Sequence, residues 1–316
     1  MNEVARLNGG WIYNDRVGRD VAGIAVLEFY TRRYPHLSRQ QWGERIAAGQ
    51  VKVDDAEASA ETLLRAGQLL SYQRPPWREP EVPCDFTILC EDADFIAVDK
   101  PAGLPVLPGG GFLEHTLLHM VRQRYADQPA PVHRLGRGTS GVMLFARSPR
   151  ARRALSADMR SGRLRKTYRA LVQGSGMSDE FVVETPIGKV DHPHLGYVYA
   201  AAPTGKAARS ECRVVERRLA AAQTLLEVDI PTGRPHQIRI HLAAAGYPLV
   251  GDPLYAVGGR PLVATDASRS PLPGDCGYHL HALQICFFHP TSGLLLTVAS
   301  PPAAVLCAAL DQAPSS

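Results

Sequence analysis

The chain has few cysteines, no long hydrophobic run and little net charge, and each of these absences excludes a class of protein. Its six cysteines are scattered and form no C-x-x-C pair, so the sequence indicates neither a zinc site nor a disulfide framework. No apolar run reaches the roughly 20 residues of a membrane-spanning helix, and Met1 to Gly10 lacks the basic-then-apolar order of a signal peptide. We therefore expect a cytoplasmic protein with reduced thiols, no metal and no membrane partner.

The basic residues are unevenly distributed, although the net charge of the 316-residue chain is only +4. Eleven bases and one acid, Asp158, lie between Arg134 and Arg169, and all but one of the bases are arginine. Such a segment creates a positive field that suits a polyanion, and a guanidinium group binds phosphate at two points. A solvated arginine-rich helix is the alternative that this count leaves open. Three of these residues are expected to contact phosphate: Arg150, Arg152 and Arg153.

Residues 15–73 are predicted to form a small α/β module. Apolar residues at helical spacing favour a helix within Ala22 to Tyr34. Ser38 and Gln41 then form a capping-box pattern that opens a second helix, and a glycine stop, alternating valines and a short apolar strand follow. A generic α/β cap is one interpretation of this pattern.

The same succession of helix, Ser-Arg, helix and Gly-x-Val-x-Val is similar to a known RNA-binding module. It resembles the alpha-L motif, which is shared with a small-subunit ribosomal protein. The Ser-Arg helix of that motif faces RNA. The resemblance therefore implies that Arg39 and Arg45 contact RNA.

Four prolines among ten residues indicate a linker at 74–83 without a core of its own. A second domain is predicted at 84–303, followed by a tail at 304–316. Strand-like segments of this domain outnumber helical ones and do not alternate regularly with them, which favours an α+β fold with a mixed, largely antiparallel sheet. A Gly/Pro/Ser-rich stretch from Val257 to Gly277 is predicted to be a long surface loop.

Five segments of the second domain carry recognisable motifs. They are EDADFIAVDKPAGLPV (Glu91 to Val106), HRLGRGTSG (His133 to Gly141), RKTYRALVQG (Arg165 to Gly174), TGRPHQIRIHLAAAGYPLVGDPLY (Thr232 to Tyr255) and LHALQICFFHP (Leu280 to Pro290). In this order they resemble the RluA-type pseudouridine synthases, the large-subunit ribosomal type. Five motifs in one order are far more specific than any one of them, so the chain is identified as a member of this family.

The resemblance implies a cofactor-free isomerisation of uridine in ribosomal or transfer RNA. The target base must first leave its stack, at a cost of about a few kcal/mol, and enter a pocket. Tyr168 is expected to stack on the uracil, and Arg239 corresponds to the arginine that pairs with the family's catalytic aspartate. Four residues are expected to shape the loop that accepts the flipped nucleotide: His133, Arg134, Thr139 and Ser140. No protein partner is predicted, and the chain is expected to be a monomer.

The active-site string departs from the family pattern at two positions. Gly136 stands where the family has its catalytic aspartate, and Gly138 stands where a second acid often occurs. Without the aspartate, the reaction lacks its usual nucleophile or base. The alternative function is therefore a non-catalytic RNA-binding or folding factor of the same fold.

The missing carboxylate also affects its expected partner, Arg239. A buried and unpaired arginine is costly unless substrate phosphate, water or another acid neutralises it. Asp252 and Asp99 are the acids nearest to the site in motif terms, and the sequence alone does not choose between them. Replacing Gly136 by aspartate is expected to place a carboxylate within reach of Arg239 and Tyr168.

Overall fold

A computed structural model describes residues 7–35, 37–263 and 271–309 of the chain. The chain divides into two compact units, Met1–Glu79 and Pro80–Ser316. Each unit buries its own cluster of apolar side chains. Residues 264–270 of the predicted surface loop and residues 310–316 of the predicted tail lie outside the described part.

The first unit combines a four-stranded sheet with two helices. Its elements are β1 (Trp11–Arg16), α1 (Val26–Arg33), α2 (Arg39–Ala47), β2 (Val51–Val53), β3 (Ala56–Glu57) and β4 (Leu69–Arg74). The strands are antiparallel and follow the order β1-β4-β2-β3. The sequence pattern does not predict β1, because five of its six side chains are exposed and so show no apolar alternation.

The predicted capping box at the start of α2 is confirmed. The Gln41 amide donates to Ser38 Oγ at 3.2 Å, and the Ser38 amide donates to Gln41 Oε1 at 2.8 Å. Trp42 and Ile46 are buried on the inner face of the helix. The Trp42 ring packs edge-on against Tyr72 of β4, with ring centroids 5.1 Å apart. The cap and this aromatic contact together fix α2 on the sheet.

The second unit is built on a ten-stranded sheet within the described residues. Its strands are β5 (Thr87–Glu91), β6 (Phe95–Lys100), β7 (Ala130–Pro131), β8 (Ser140–Ala146), β9 (Arg165–Gln173), β10 (Glu180–Val183), β13 (Ser210–Arg218), β14 (Gln223–Asp229), β17 (Leu280–Phe288) and β18 (Leu295–Ala299). The main order is β10-β13-β14-β9-β17-β8-β6-β5, with β18 beside β17 and β7 beside β8. Only the β8–β17 pair is parallel in the described sheet, so the expected mixed, largely antiparallel α+β fold is confirmed.

Two small hairpins and three helices complete the second unit as described. The hairpins pair β11 (Ile187–His192) with β12 (Gly196–Ala201), and β15 (Tyr255–Ala256) with β16 (Arg260–Pro261). The helices are α3 (Leu117–Arg124), α4 (Pro149–Ser161) and α5 (Gln237–Ala244). Thr116 and Ser148 cap α3 and α4 with their hydroxyl oxygens. No helix in the described ranges has the length and apolar character needed to cross a bilayer.

Candidate active site

One cavity of the second unit, about 1110 Å³ in volume, brings together most of the residues that the sequence singles out. Its walls come from the 133–139 loop, the end of α4, the start of β9, the hairpin β11–β12 and the segments that precede α5 and β17. The predicted site residues in its lining are His133, Arg134, Gly136, Thr139, Tyr168 and Arg239. Residues that lie up to 106 positions apart in the sequence therefore share one chamber.

The described lining of this cavity contains no aspartate and no glutamate. It does contain six basic residues: Arg134, Arg137, Arg160, Lys166, Arg234 and Arg239. A concave surface of one charge sign concentrates counter-ions, so the chamber attracts an anionic ligand such as a nucleotide. The same composition leaves no carboxylate in the described lining to act as nucleophile or base.

Buried hydrogen bonds hold the 133–139 loop in place. The Lys100 side chain has no exposed surface, and its Nζ donates to the carbonyls of Pro101 and Leu104 at 2.8 Å each and of Arg137 at 3.2 Å. Burial lowers the pKa of Lys100 to about 7. The Gly103 amide donates to the same Arg137 carbonyl at 2.8 Å. The Lys-Pro-x-Gly turn is thus a clamp on the loop.

The Thr-Ser-Gly end of the loop is shaped by the parallel strand β17. Gly141 has φ +107°, and a β-carbon there would lie 2.3 Å from the Ala282 carbonyl oxygen, so only glycine fits. Ser140 Oγ lies 2.9 Å from His281 Nδ1, whose ring is buried. Ser140, predicted to bind substrate, is therefore absent from the described lining, because its side chain turns toward β17 while Thr139 faces the cavity.

The space opposite the two loop glycines is occupied by Tyr278. A β-carbon at Gly136 would lie 2.9 Å from Tyr278 Oη, and one at Gly138 would lie 2.9 Å from the ring carbons Cε1 and Cζ. Neither glycine has a positive φ, so the crowding, not the backbone, favours glycine here. Tyr278 Oη is 3.2 Å from Thr139 Oγ1, and the Arg239 guanidinium lies 4.2 Å from the ring centroid. The family acid's position is thus filled by a phenol.

Arg239 has an acidic partner, and it is Asp252, one of the two acids that the sequence leaves open. Asp252 accepts its Nε and Nη2 through two bonds of 2.7 Å, and both side chains are almost fully buried. Asp252 also accepts the amides of Leu254 and Tyr255. Neither Asp252 nor Asp99 is in the described lining, so Asp252 neutralises Arg239 without reaching the chamber.

These contacts bear on the expected effect of Gly136→Asp. The new side chain would meet Tyr278 Oη before it reached Arg239. Arg239, in turn, already directs Nε and Nη2 to Asp252 and Nη1 to the Pro273 carbonyl at 3.3 Å. We therefore expect the substitution to crowd Tyr278.

Two histidines of the lining are neutral at physiological pH. Burial, together with the charge of Lys166, lowers the pKa of His133 to about 3, and the Leu144 amide donates to its Nε2 at 3.3 Å. Burial, followed by the charge of Arg239, lowers the pKa of His236 to about 4. Both rings are therefore uncharged in the chamber as it stands.

His236 has an unusual backbone and a fixed ring. It precedes α5 in the left-handed conformation, with φ +54°, which non-glycine residues adopt rarely. Tyr255 Oη donates to the Tyr199 carbonyl at 2.7 Å and lies 2.8 Å from His236 Nδ1. Because the phenol has one hydrogen, Nδ1 must carry the imidazole proton, and Nε2 is left as an acceptor.

Tyr168 lies on β9, opposite Val228 of β14 and Ala282 of β17. It is 6% exposed, and burial raises its pKa, so the phenol stays protonated. Its position in the cavity wall is compatible with the stacking role that the resemblance implies.

The basic segment divides into paired and unpaired arginines. Arg147 binds Asp127 at 2.7 Å, Arg163 binds the buried Asp158 at 2.5 Å, and Arg169 binds Glu227 at 3.0 Å. Within the described residues, no ion pair involves the exposed α4 residues Arg150, Arg152 and Arg153. Arg152, Arg153 and Arg160 line a second cavity of about 700 Å³. The side chains predicted to contact phosphate are thus exposed and uncommitted.

The two arginines predicted in the first unit have different environments. Arg39 is exposed and binds Glu28 at 2.7 Å. Arg45 is half-buried; it donates to the Tyr72 hydroxyl and lies over the rings of Trp42 and Tyr72, 5.9 and 5.5 Å from their centroids. No group of three or more His, Cys, Asp or Glu side chains in the described ranges is placed to hold a metal ion.

Three residues of the chamber received no role from the sequence: Tyr278, His236 as an acceptor, and Lys166. Tyr278 precedes the closing-strand motif and carries no signature of its own. The sequence indicates Tyr278 only indirectly: the two glycines at the acid positions leave space that a bulky side chain from another segment can fill.

Comparison with known proteins identifies the family of the chain. The sequence profile described as RNA pseudouridylate synthase matches residues 94–244. An uncharacterized RNA pseudouridine synthase of Synechocystis sp. is 46% identical over 88% of this chain and 94% of its own length. Ribosomal large subunit pseudouridine synthase D of Nitrosomonas europaea is 33% identical over 89% and 82%. The solved human RNA pseudouridylate synthase domain containing 1 shares the fold, with a TM-score of 0.54 at 23% identity over 71% of this chain and 86% of that one. The chain therefore belongs to the RluA-type family of RNA pseudouridine synthases.

Proposed function

We propose that this protein isomerises uridine in large-subunit ribosomal RNA, with transfer RNA as the alternative substrate. The observation that carries the proposal is the single cationic chamber that unites His133, Tyr168 and Arg239. The ribosomal substrate is supported by the name of the Nitrosomonas europaea relative. We further propose that the protein acts as a monomer in the cytoplasm.

The reaction needs no co-reactant. The bond between uracil N1 and ribose C1′ breaks, the ring turns, and C5 bonds to C1′; C5 then loses a proton and N1 gains one. Tyr168 stacks on the flipped ring, and the basic lining holds the flanking phosphates. The described lining lacks a carboxylate. In this proposal the N1–C1′ bond therefore breaks without nucleophilic attack of a carboxylate on the ribose.

His236 is the proposed acceptor of the proton that leaves C5. Its Nδ1 is committed to Tyr255, and the unprotonated Nε2 belongs to a ring that lines the chamber. His236→Asn tests this role, because the asparagine amide can keep the donor to Tyr255 and asparagine tolerates a positive φ, while Nε2 is lost. We expect the rate to fall by about 10² to 10⁴ with unchanged RNA affinity. An unchanged rate would remove His236 from the mechanism.

RNA binding outside the chamber is assigned to α4 and to the first unit. The exposed arginines of α4 offer phosphate contacts next to the chamber wall formed by Arg160. In the first unit, Arg39 is exposed on α2 and paired with Glu28, whereas Arg45 packs on the rings of Trp42 and Tyr72. We propose that the first unit adds affinity or target choice, as the alpha-L resemblance implies.

The alternative, a non-catalytic RNA-binding factor, is favoured by one observation, the acid-free lining. Family membership and the names of the relatives favour the synthase. The two are separated by mapping pseudouridines in cellular RNA with and without the gene. Purified protein is then tested on ribosomal and transfer RNA labelled with tritium at C5 of uridine, since isomerisation releases that tritium. Loss of specific sites in the deletion strain and release in vitro support the synthase; unchanged maps together with tight RNA binding support the factor.

A further inference from the structure

Tyr278 is the residue that takes the space of the family's acid. Its hydroxyl lies 2.9 Å from the place that the first carbon of a side chain at Gly136 would take, and its ring lies equally close to that place at Gly138. It lines the same chamber as Tyr168. Any uridine that enters this chamber therefore faces a phenol at the position where relatives of the usual pattern present a carboxylate.

The hydroxyl pair formed by Thr139 and Tyr278 must offer a hydrogen to the chamber. The two groups hold two hydrogens between them, and their contact at 3.2 Å uses one. No other partner of either hydroxyl occurs among the described residues. Both side chains line the chamber, so the second hydrogen is available to a ligand that enters it.

Three of the five N–H groups of Arg239 already have acceptors. Its Nε and Nη2 bind Asp252, and Nη1 donates to the Pro273 carbonyl. Its guanidinium instead lies against the face of the Tyr278 ring. Arg239 thus acts as a positioning residue that holds the phenol, and the pair formed by Thr139 and Tyr278 carries a hydroxyl donor in the chamber wall.

We infer that Tyr278 is a catalytic residue whose hydroxyl donates a hydrogen bond to the uracil ring while the N1–C1′ bond breaks. The inference rests on the proposed function. As that bond breaks, its electron pair passes to the ring and develops negative charge on N1 and the ring carbonyl oxygens. The hydroxyl stabilises this charge and keeps its own proton, so no co-reactant is needed.

The protonation state of the phenol agrees with a donor and not with a nucleophile. Burial raises the pKa of Tyr278, although Arg239 and the bond to Thr139 act in the opposite direction. The group therefore stays protonated in the physiological range. A neutral phenol does not attack the sugar, but a fixed donor aimed at developing charge lowers the barrier.

The test compares single-turnover rates of tritium release by the full chain and its variants. Tyr278→Phe keeps the ring and removes the hydroxyl, and we expect the rate to fall by about 10² to 10³ with little change in RNA affinity. Tyr247→Phe is the matched control, because the Tyr247 ring packs near Phe181 outside the chamber and its hydroxyl has no described partner. Thr139→Val should lower the rate as well, and Thr139→Ser should retain most of it.

A modified substrate distinguishes a chemical role from a structural one. Fluorine at C5 stabilises the uracil anion, so cleavage of the N1–C1′ bond in 5-fluorouridine RNA should depend less on the donor. This substrate has no hydrogen at C5, so its turnover is followed by chromatography of the nuclease-digested RNA instead of tritium release. The loss caused by Tyr278→Phe should then shrink, with unchanged thermal unfolding of the variant. A Tyr278→Phe rate equal to that of the natural protein, or an equal loss on both substrates, would overturn the inference alone. Absence of release by the natural protein on every RNA would overturn the proposed function and the inference with it.

Discussion

The loop glycines Gly136 and Gly138 pack tightly against different atoms of Tyr278, so we expect alanine at the two positions to respond differently to removal of the Tyr278 hydroxyl. Gly136→Ala adds a carbon 2.9 Å from Tyr278 Oη, whereas Gly138→Ala adds one 2.9 Å from Cε1 and Cζ of the same ring. The optimum between non-bonded carbons is about 3.5 to 4.0 Å. The ring is rigid, 5% exposed and pressed on Arg239, so it has little room to move. We expect each alanine to cost about 1 to 3 kcal/mol of stability.

Removing the hydroxyl should relieve one variant and not the other. In Gly136→Ala/Tyr278→Phe the clashing oxygen is gone, so the combined loss of stability should be smaller than the sum of the single losses. In Gly138→Ala/Tyr278→Phe the clashing ring carbons remain, and the losses should be nearly additive. Tyr278→Phe alone should cost about 1 kcal/mol, through its bond to Thr139.

Scanning calorimetry of the full chain measures these losses, because it can resolve the transitions of two units. Each kcal/mol should shift the midpoint by about 2 to 4 °C in a domain of this size. Gly176→Ala is the matched control, since a carbon there meets nothing within 4 Å and the backbone has no positive φ. If Gly136→Ala is no worse than Gly176→Ala, or if Tyr278→Phe relieves both positions equally, the assignment of the crowding to the hydroxyl is refuted.

Three further predictions concern RNA binding, independence of the units and acid stability. Replacing the unpaired α4 arginines Arg150, Arg152 and Arg153 by Gln should make the slope of log affinity against log salt less steep. The change should be about 0.9 for each RNA phosphate contact that is lost. Neutralising three ion-paired arginines should leave that slope unchanged: Arg209, Arg217 and Arg218. Removal of 1–79 should leave a second unit that unfolds cooperatively with weaker RNA binding, because each unit buries its own core, and aggregation of the truncated chain would contradict this. His133 and His236 resist protonation in the folded protein, whereas the same side chains take up protons near pH 6.5 in the unfolded chain. The free energy of unfolding, measured by urea titration, should therefore fall by about 2 kcal/mol per histidine between pH 7 and pH 5. Equal stability at both pH values would refute the assignment of neutral, buried histidines.

The sequence predicts those elements whose signals are local. The capping box at Ser38 and Gln41 needs only a four-residue pattern, and the structure forms it. The sheet of the second unit follows from apolar strands that both the pattern and the family motifs mark. β1 is missed because its side chains are exposed on the sheet of a small unit.

The chamber is predictable only in part, because its decisive contacts join distant segments. Motifs identify Tyr168 and Arg239, but the bidentate bond from Asp252 to Arg239 depends on how the segment after α5 folds back. The place of Tyr278 depends on its approach to a loop about 140 positions earlier in the chain. The direction of the Ser140 side chain has a related cause, because it is set by β17, which is also remote in sequence.

The position of β17 in the sheet has a consequence for biosynthesis. This strand lies between β9 and β8, so a late segment of the chain completes the interior of a sheet whose other central strands were made long before. Ser140 and its partner His281 are 141 residues apart. At translation rates of about 5 to 20 residues per second, the ribosome needs roughly 7 to 28 s to cover that distance. During this interval β8 and β9 present open hydrogen-bonding edges, which are available to chaperones and prone to mispairing.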